Sequence, residues 1–296
     1  MGVNSSILDY MPASLIDGNA VSTSIKSRLT KRVSELNEKG ISPCLATILA
    51  GNDPASAIYI QNKQKAAKQV GLVTQDHRLK DDLSQEELTL LIDSLNNDSQ
   101  VHGILVQLPL PKHINEFNVI NKILPSKDVD GLTAINSGLL LHSEASLKPC
   151  TPSGIMELLD YYKIRIMSQN VVIINRSILV GKPLAFLMLE RDATVTICHS
   201  KTANLNHLLL GADMIITAVG DRNKFVLNSE MVKEKAIVID VGTNRQSGKL
   251  VGDVDFESVK EKASWITPVP GGVGPMTIAM LLSNTVTAAL NPASRP

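Results

Sequence analysis

Four short apolar runs in the second half of the chain limit its fold most. They are "NVVIIN", "TVTICHS", "DMIITAVG" and "KAIVIDVG". Each has strand length and is rich in β-branched residues, and helical stretches such as "GKPLAFLMLERD" and "NLNHLLLG" separate them. Strands that are apolar on both faces belong to a parallel sheet covered by helices on each side. Residues 151–274 are therefore expected to form an α/β domain of the Rossmann type, with its ligand at the carboxyl ends of the strands.

The first half alternates in the same way. "GNAVSTSIKSRLTKRVSELNEKG" has helical periodicity and stops at Gly40. "SPCLATILAG" is a short strand. Asp53-Pro54 then signals the start of a helix that runs to Gly71. "SQEELTLLIDSLNND" opens on a capping box, Ser84 with Glu87. "VHGILVQLPLP" is a buried strand, and "INEFNVINKILP" a further helix. This βαβα order implies a second parallel sheet. The stretch "KDVDGLTAINSGLLLHSEASLKPCTPSG" lacks periodicity and is expected to be a long functional loop. Thr151-Pro152 caps the next helix, which puts the domain boundary near residue 150. The chain ends on the helix "GPMTIAMLLSNTVTAAL" after the turn "PVPGGVG".

Composition excludes several functions. With 29 basic and 29 acidic residues the net charge is zero, so no general attraction to nucleic acid or an anionic membrane is expected. Aromatic residues are 3%, too few for a base-stacking platform. No apolar run approaches the roughly 20 residues of a membrane span. Cys44, Cys150 and Cys198 are isolated and show no metal-ligand spacing. They are expected to be buried free thiols of a cytoplasmic protein, and no metal is expected. The N-terminus lacks the pattern of a signal peptide, and the loose Gly2…Ser6 myristoylation pattern is taken as coincidence.

Five places carry candidate chemistry. Tyr59 and Lys63 lie four apart, on one helix face. Such a lysine moves protons near neutral pH when desolvated, although spacing alone favours a solvated face. Tyr-x-x-x-Lys also marks the short-chain dehydrogenases, but there the Gly-rich nucleotide loop precedes the tyrosine, and here the order is reversed. Gln107 follows an apolar strand, where a strand-end amide is the plain reading. Asp130, in "KDVDG", offers a carboxylate to a ring edge or simply makes a turn. "INRSILVGKP" joins a strand to a helix, where backbone N–H groups can meet phosphates, and Arg176 and Ser177 can reach a 2′-phosphate. Its glycine pattern fails as a dinucleotide fingerprint. His199-Ser200 ends the second strand, where a Ser in place of an acid favours NADP over NAD. Finally "TPVPGGVGPMT" is a rigid turn at a helix N-terminus.

Together these segments resemble the bifunctional methylenetetrahydrofolate dehydrogenase/methenyltetrahydrofolate cyclohydrolase family. The resemblance rests on "DPASAIYIQNKQKAAKQVGL", "GILVQLPLP", "KDVDGL", "NSGLL", "PCTPSGI", "RSILVGKP", "ATVTICHSKTANL", "ADMIITAVG", "IVIDVG", "VGDV" and "TPVPGGVGPMT", in the family's order over nearly the whole chain. It implies two domains: a folate-binding catalytic domain of residues 1–150 joined by the C-terminal helix, 275–296, which packs back on it, and an NADP-binding domain of 151–274. It implies oxidation of 5,10-methylenetetrahydrofolate with NADP, then hydrolysis of the methenyl product to 10-formyltetrahydrofolate. Lys63 would be the catalytic lysine and Gln107 the amide that positions it. Tyr59 would pack on the folate, and Asp130 would hold the pterin edge. Val106, Leu108, Pro270, Gly271 and Gly272 would line the substrate. Asn175, Arg176, Ser177, Ser200, Thr243 and Gly274 would border NADP. A homodimer through the nucleotide domain is also implied.

Two positions depart from the family pattern. Asn175 stands where the family has Gly, and Thr243 where it has Ile. Asn tolerates positive φ, so the turn at 175 is expected to survive. Loss of the dehydrogenase, leaving a cyclohydrolase, is one alternative. A non-catalytic folate- or nucleotide-binding regulator is another, against which the intact lysine–amide pair argues.

Overall fold

A computed structural model describes residues 12–51 and 54–291. The Gly2…Ser6 pattern and Asp53 lie outside the described residues. In chain order the elements begin β1 (Ser14–Leu15), α1 (Gly18–Glu38), β2 (Cys44–Ala50), α2 (Pro54–Gln69), β3 (Val73–Leu79), α3 (Gln85–Asn97) and β4 (Gly103–Val106). Next come α4 (Glu116–Ile120), α5 (Ala134–Leu141), α6 (Cys150–Tyr161), β5 (Asn170–Ile174), α7 (Gly181–Leu189), β6 (Thr194–Cys198) and α8 (Leu205–Leu210). The chain closes with β7 (Met214–Thr217), β8 (Ile237–Asp240), β9 (Asn244–Gln246), β10 (Lys249–Val251), α9 (Phe256–Val259), β11 (Trp265–Ile266) and α10 (Val273–Leu290).

The chain divides into two compact units. Of the described residues, one holds 22–154 and 276–291; the other holds 12–21 and 155–275. Two of the breaks, 154/155 and 275/276, lie near the expected 150/151 and 274/275. A third, at 21/22, was not expected: residues 12–21 group with the nucleotide-type unit. There β1 pairs in parallel with β11, Ser14 opposite Trp265 and Leu15 opposite Ile266. Two residues carry too little periodicity to announce a strand.

In the first unit, β3-β2-β4 form a parallel sheet. β2 is buried throughout, but β3 (VTQDHRL) is a partly exposed edge strand. Its polar sequence hid it from the apolar-run criterion. α3 begins with the expected capping box, Ser84 with Glu87, and buries Leu88, Ile92 and Leu95 against the sheet core. Each buried leucine or isoleucine contributes roughly 1.5–3 kcal/mol, against ~1 kcal/mol for the cap, so packing holds this helix. Its carboxyl end is closed by Lys127. This buried ammonium donates to the carbonyls of Leu95 (2.9 Å), Asn96 (2.7 Å) and Asp98 (2.8 Å). Lys127→Met keeps the apolar stem but strands those carbonyls. Urea unfolding is expected to show a loss of about 2–4 kcal/mol, and an unchanged midpoint would refute the capping role.

The long aperiodic stretch is more ordered than expected. It contains α5, whose N-cap Thr133 accepts from Asn136 N. Buried Asp128 accepts from Thr133 N and Asn136 Nδ2. Gly131, at φ +70°, passes so close to Lys148 and Pro149 that a Cβ would stand 2.7 Å from their backbone. "INEFNVINKILP" gives only the five residues of α4.

α10 completes this unit from the far end of the chain. Asn284 Nδ2 donates to Val129 O (2.8 Å) and Lys148 O (2.9 Å). By length and composition α10 is apolar enough to cross a membrane, unlike the sequence expectation, but 56% of it is buried within the protein. Leu281, Leu282, Val286 and Ala289 are all buried.

The second unit is a parallel six-stranded sheet in the order β1-β11-β8-β7-β5-β6, plus the β9–β10 hairpin. All four strands expected here are present. Val172, Ile174, Ile215, Val238 and Ile266 join one core with Leu209, Leu227 and Val259. From β5 the chain steps to β6 on one side and then returns to β7 on the other. That reversal makes the carboxyl ends of β5 and β7 the switch point of the sheet, the place where sheets of this kind bind ligands.

Candidate active site

The catalytic unit brings Lys63 and Gln107 together. Lys63 lies on α2, and Gln107 directly follows β4, where its N–H bonds Ile48 O. Lys63 Nζ donates to Gln107 Oε1 at 2.9 Å, and Gln107 Nε2 donates to Leu108 O at 2.7 Å. The amide is thus held at both ends, which fixes its acceptor toward the lysine. Tyr59 lies one turn before Lys63 and is exposed. Val106 is buried in β4; Leu108 is half-buried and precedes a cis bond to Pro109.

Asp130 is the third member. Burial raises its carboxyl above the ordinary value, the Lys63 charge opposes that shift, and Asp128 adds to it. The Cys150 thiol lies beside this carboxyl and donates to Val129 O at 3.3 Å. Burial pushes the Cys150 thiol well up, so it is a structural neighbour rather than a nucleophile. All three cysteines are buried and free. No cluster of metal-ligating side chains occurs among the described residues.

The dinucleotide unit gathers the other candidates at the ends of its strands. Asn175 follows β5. Its Oδ1 accepts from Ser177 N (2.7 Å) and Gly181 N (3.0 Å), and its Nδ2 donates to Ala218 O (2.6 Å) after β7. Ser177 Oγ accepts from Val180 N. Two expectations are corrected here. Asn175 is absent from the positive-φ residues, so its side-chain bonds, and not a left-handed backbone, shape the turn. The N–H groups of Ser177, Val180 and Gly181 are engaged internally, so they do not form a phosphate cradle. Exposed Arg176 and Ser200 remain as donors, and no acidic side chain follows β6 at His199-Ser200. That set suits a phosphorylated ribose.

Thr243, after β8, is exposed. Pro270, Gly271, Gly272 and Gly274 belong to this unit. The Val269–Pro270 bond is cis, Gly271 has φ +108°, and Gly272 N bonds Pro268 O. The turn presses on the start of α1, where a Cβ on Gly18 would meet Gly272 O at 1.7 Å. Sequence reading missed Gly18. It also missed Asp240 and Asp253, although the glycines in "IDVG" and "VGDV" were a signal that something packs closely there.

Residues 16–130 match the family description "Tetrahydrofolate dehydrogenase/cyclohydrolase, catalytic domain", and residues 149–293 match its "NAD(P)-binding domain". The chain belongs to the tetrahydrofolate dehydrogenase/cyclohydrolase family. It is 57% identical over 279 residues to the bifunctional protein FolD of Nitrosopumilus maritimus, covering 94% of this chain and 97% of that one. Among solved structures it resembles the bifunctional FolD of Campylobacter jejuni, at 50% identity and TM-score 0.92, covering 94% of this chain and 99% of that one. It also resembles the Trypanosoma brucei dehydrogenase-cyclohydrolase complexed with NADP and an inhibitor, at 38% identity and TM-score 0.91, covering 96% and 99%.

Proposed function

We propose that this family member oxidises 5,10-methylenetetrahydrofolate to the 5,10-methenyl form with NADP and hydrolyses that product to 10-formyltetrahydrofolate. The Lys63 Nζ–Gln107 Oε1 contact of 2.9 Å carries the reading. A binding protein needs no such pair.

The methenyl cation is already electrophilic, so hydrolysis turns on proton handling. Water bonds to the amidinium carbon and loses a proton, and the C–N5 bond then breaks as N5 takes one up. Lys63 stands as the group that receives and returns that proton. Gln107 fixes its Nζ by accepting one N–H, which directs the rest of the amine outward. Asp130 is the carboxylate for the pterin N–H edge, and Tyr59 offers an exposed ring face to the folate. Val106, Leu108 and the Pro270–Gly272 turn are assigned to the substrate.

When bound, NADP accepts the hydride. Arg176, Ser177 and Ser200 would hold it, with Asn175, Thr243 and Gly274 at its border. Asn175 keeps its turn closed through its own hydrogen bonds, which supports retention of the dehydrogenase.

A homodimer through the nucleotide unit fits the open edge of its sheet. β6 ends the sheet with Ile197 exposed, and Phe186 and Leu189 of the adjacent α7 are exposed too. Three unpaired thiols fit a cytoplasmic setting.

Purified protein given methylenetetrahydrofolate with NADP or NAD should form the methenyl product, followed by absorbance. A second assay starts from methenyltetrahydrofolate and follows its hydrolysis. Absence of the first reaction removes the dehydrogenase, and absence of both leaves only a binding role.

A further inference from the structure

Two buried carboxylates of the dinucleotide unit have no part in the roles above. Asp253 is 0% exposed and Asp240 is 3% exposed. Asp253 Oδ2 accepts from Val219 N at 2.6 Å, and Oδ1 accepts from Gly220 N and Asn244 Nδ2, both at 3.0 Å. Asp240 Oδ1 accepts from Gly242 N and Asp253 N, both at 3.0 Å, and from Thr217 Oγ1 at 3.2 Å. Its Oδ2 accepts from Val254 N at 2.9 Å.

Each carboxylate fills the space left by a glycine on the other segment. A Cβ at Gly242 would stand 2.2 Å from Asp253 Cγ, and one at Gly252 would stand 1.8 Å from Asp240 Oδ2. Arg222 tightens the same knot: its Nη1 donates to Gly252 O (2.8 Å) and Val254 O (3.1 Å), and its N–H donates to Asn244 Oδ1. Three stretches of chain are thereby fastened: the loop after β7, the loop after β8, and residues 252–254.

Burying a carboxylate is costly, and apolar packing would brace a sheet equally well. What a carboxylate adds is an acceptor that fixes the direction of several N–H groups at once. Here those groups lie at the carboxyl ends of β7 and β8, on the ligand-binding edge of the sheet. We propose that Asp253 and Asp240 form an interlocked clasp whose carboxylates are positioning residues for the dehydrogenase, setting the Val219–Gly220 and Gly242–Thr243 backbone for the bound dinucleotide. This rests on the dehydrogenase reading above.

The clasp carries its own pH sensitivity. Burial, and next the Asp253 charge, push the Asp240 carboxyl up to about 6 against the pull of its backbone N–H bonds. The groups facing it are Asp253, the Thr217 hydroxyl and, through the Asp240 N–H, the Thr267 hydroxyl; the Arg222 guanidinium lies on the carbonyls of residues 252 and 254. A proton on Asp240 removes the charge that strengthens its bonds to the Gly242, Asp253 and Val254 N–H groups, so those bonds weaken locally as pH falls through about 6, although protonating a carboxyl raised by burial favours the folded chain as a whole.

The test uses the full chain with and without cofactor. Amide exchange at Gly242, Asp253 and Val254, whose N–H groups donate to Asp240, is followed in the cofactor-free protein, corrected for intrinsic pH dependence, which avoids titration of the cofactor's own phosphate; Val219 and Gly220, which bond Asp253, are the reference amides. Protection should fall about tenfold from pH 7.5 to 5.5 in the wild type, the weight of one charge-assisted bond. Asp240→Asn should show the low protection at both pH values. Asp253→Asn should weaken NADP binding, measured by calorimetry, and dehydrogenase kcat/KM by about tenfold or more, with hydrolysis of methenyltetrahydrofolate changed by less than about twofold. The proposal is overturned if protection is flat with pH and unaltered in Asp240→Asn. It is also overturned if folded Asp253→Asn keeps wild-type NADP affinity and turnover. A wild type that neither binds NADP nor oxidises substrate defeats the dehydrogenase reading instead, and is distinguished by that result. Should Asp253→Asn fail to fold, Asp240→Asn decides through the exchange and binding measurements.

Discussion

Lys63→Met should lower the hydrolysis of methenyltetrahydrofolate by about 10²–10⁴-fold, while thermal unfolding stays close to wild type. Methionine preserves the half-buried stem on α2 and removes only the ammonium that bonds Gln107 Oε1 at 2.9 Å. Gln107 remains tied through Nε2 to Leu108 O and is itself half-buried, so solvent can satisfy the freed acceptor. The chemical loss is larger because the proposed mechanism routes the proton through Lys63. Oxidation of the methylene substrate transfers a hydride and asks no proton of Lys63, so it should fall by less. Hydrolysis within about twofold of wild type would remove Lys63 from the mechanism. The measurement is the rate of loss of methenyl absorbance at matched substrate concentration.

The second large effect belongs to the dinucleotide unit. Gly181 opens α7, and a Cβ there would stand 2.1 Å from Asn175 O and 2.4 Å from Asn175 C. Both are backbone atoms, so no rotamer change relieves the overlap. Gly181→Ala must push the loop after β5 away from the helix, which breaks the Asn175 Oδ1 bonds to Ser177 N and Gly181 N. A loss of about 3 kcal/mol in the stability of this unit is expected, together with a fall of about a hundredfold in NADP affinity as Arg176 and Ser177 move. Differential scanning calorimetry and NADP titration read the two effects separately. Gly138→Ala is the control: it lies in α5 with nothing within 4 Å of its added Cβ. There alanine should be neutral or stabilise by ~0.5–1 kcal/mol. Equal behaviour of the two variants would show that the overlap at Gly181 relaxes cheaply.

The parts of this fold that were legible in the sequence are those whose signals are local. Continuous apolar runs revealed β2, β4 and the central strands of the six-stranded sheet, because burial on both faces leaves no room for polar residues. The Ser84–Glu87 box located the start of α3, since its bonds span only three residues. β3 stayed hidden because an edge strand has one side free for polar residues. β1 stayed hidden because its partner, β11, is remote in sequence. Of the site, spacing alone left Tyr59 and Lys63 undecided. The partner that matters to Lys63 is 44 positions away, and only the order of motifs along the whole chain pointed to it. The Asp240–Asp253 clasp was illegible for a related reason. A glycine shows that something approaches closely, but the sequence does not say what.

The pairing of β1 with β11 bears on how the protein is made. Ser14 leaves the ribosome about 250 residues before Trp265, its neighbour in the sheet. At roughly 5–20 residues per second, that strand waits about 10–50 s for its partner. The catalytic unit waits too, because Asn284 must arrive before it can bond the carbonyls of Val129 and Lys148. The nucleotide unit is finished only when the chain has reached about residue 275, and the catalytic unit only when the last helix emerges. A chain stalled near residue 270 would hold Lys63, Gln107 and most of the loops of the nucleotide unit, yet leave the buried surface that α10 covers open to chaperones and proteases.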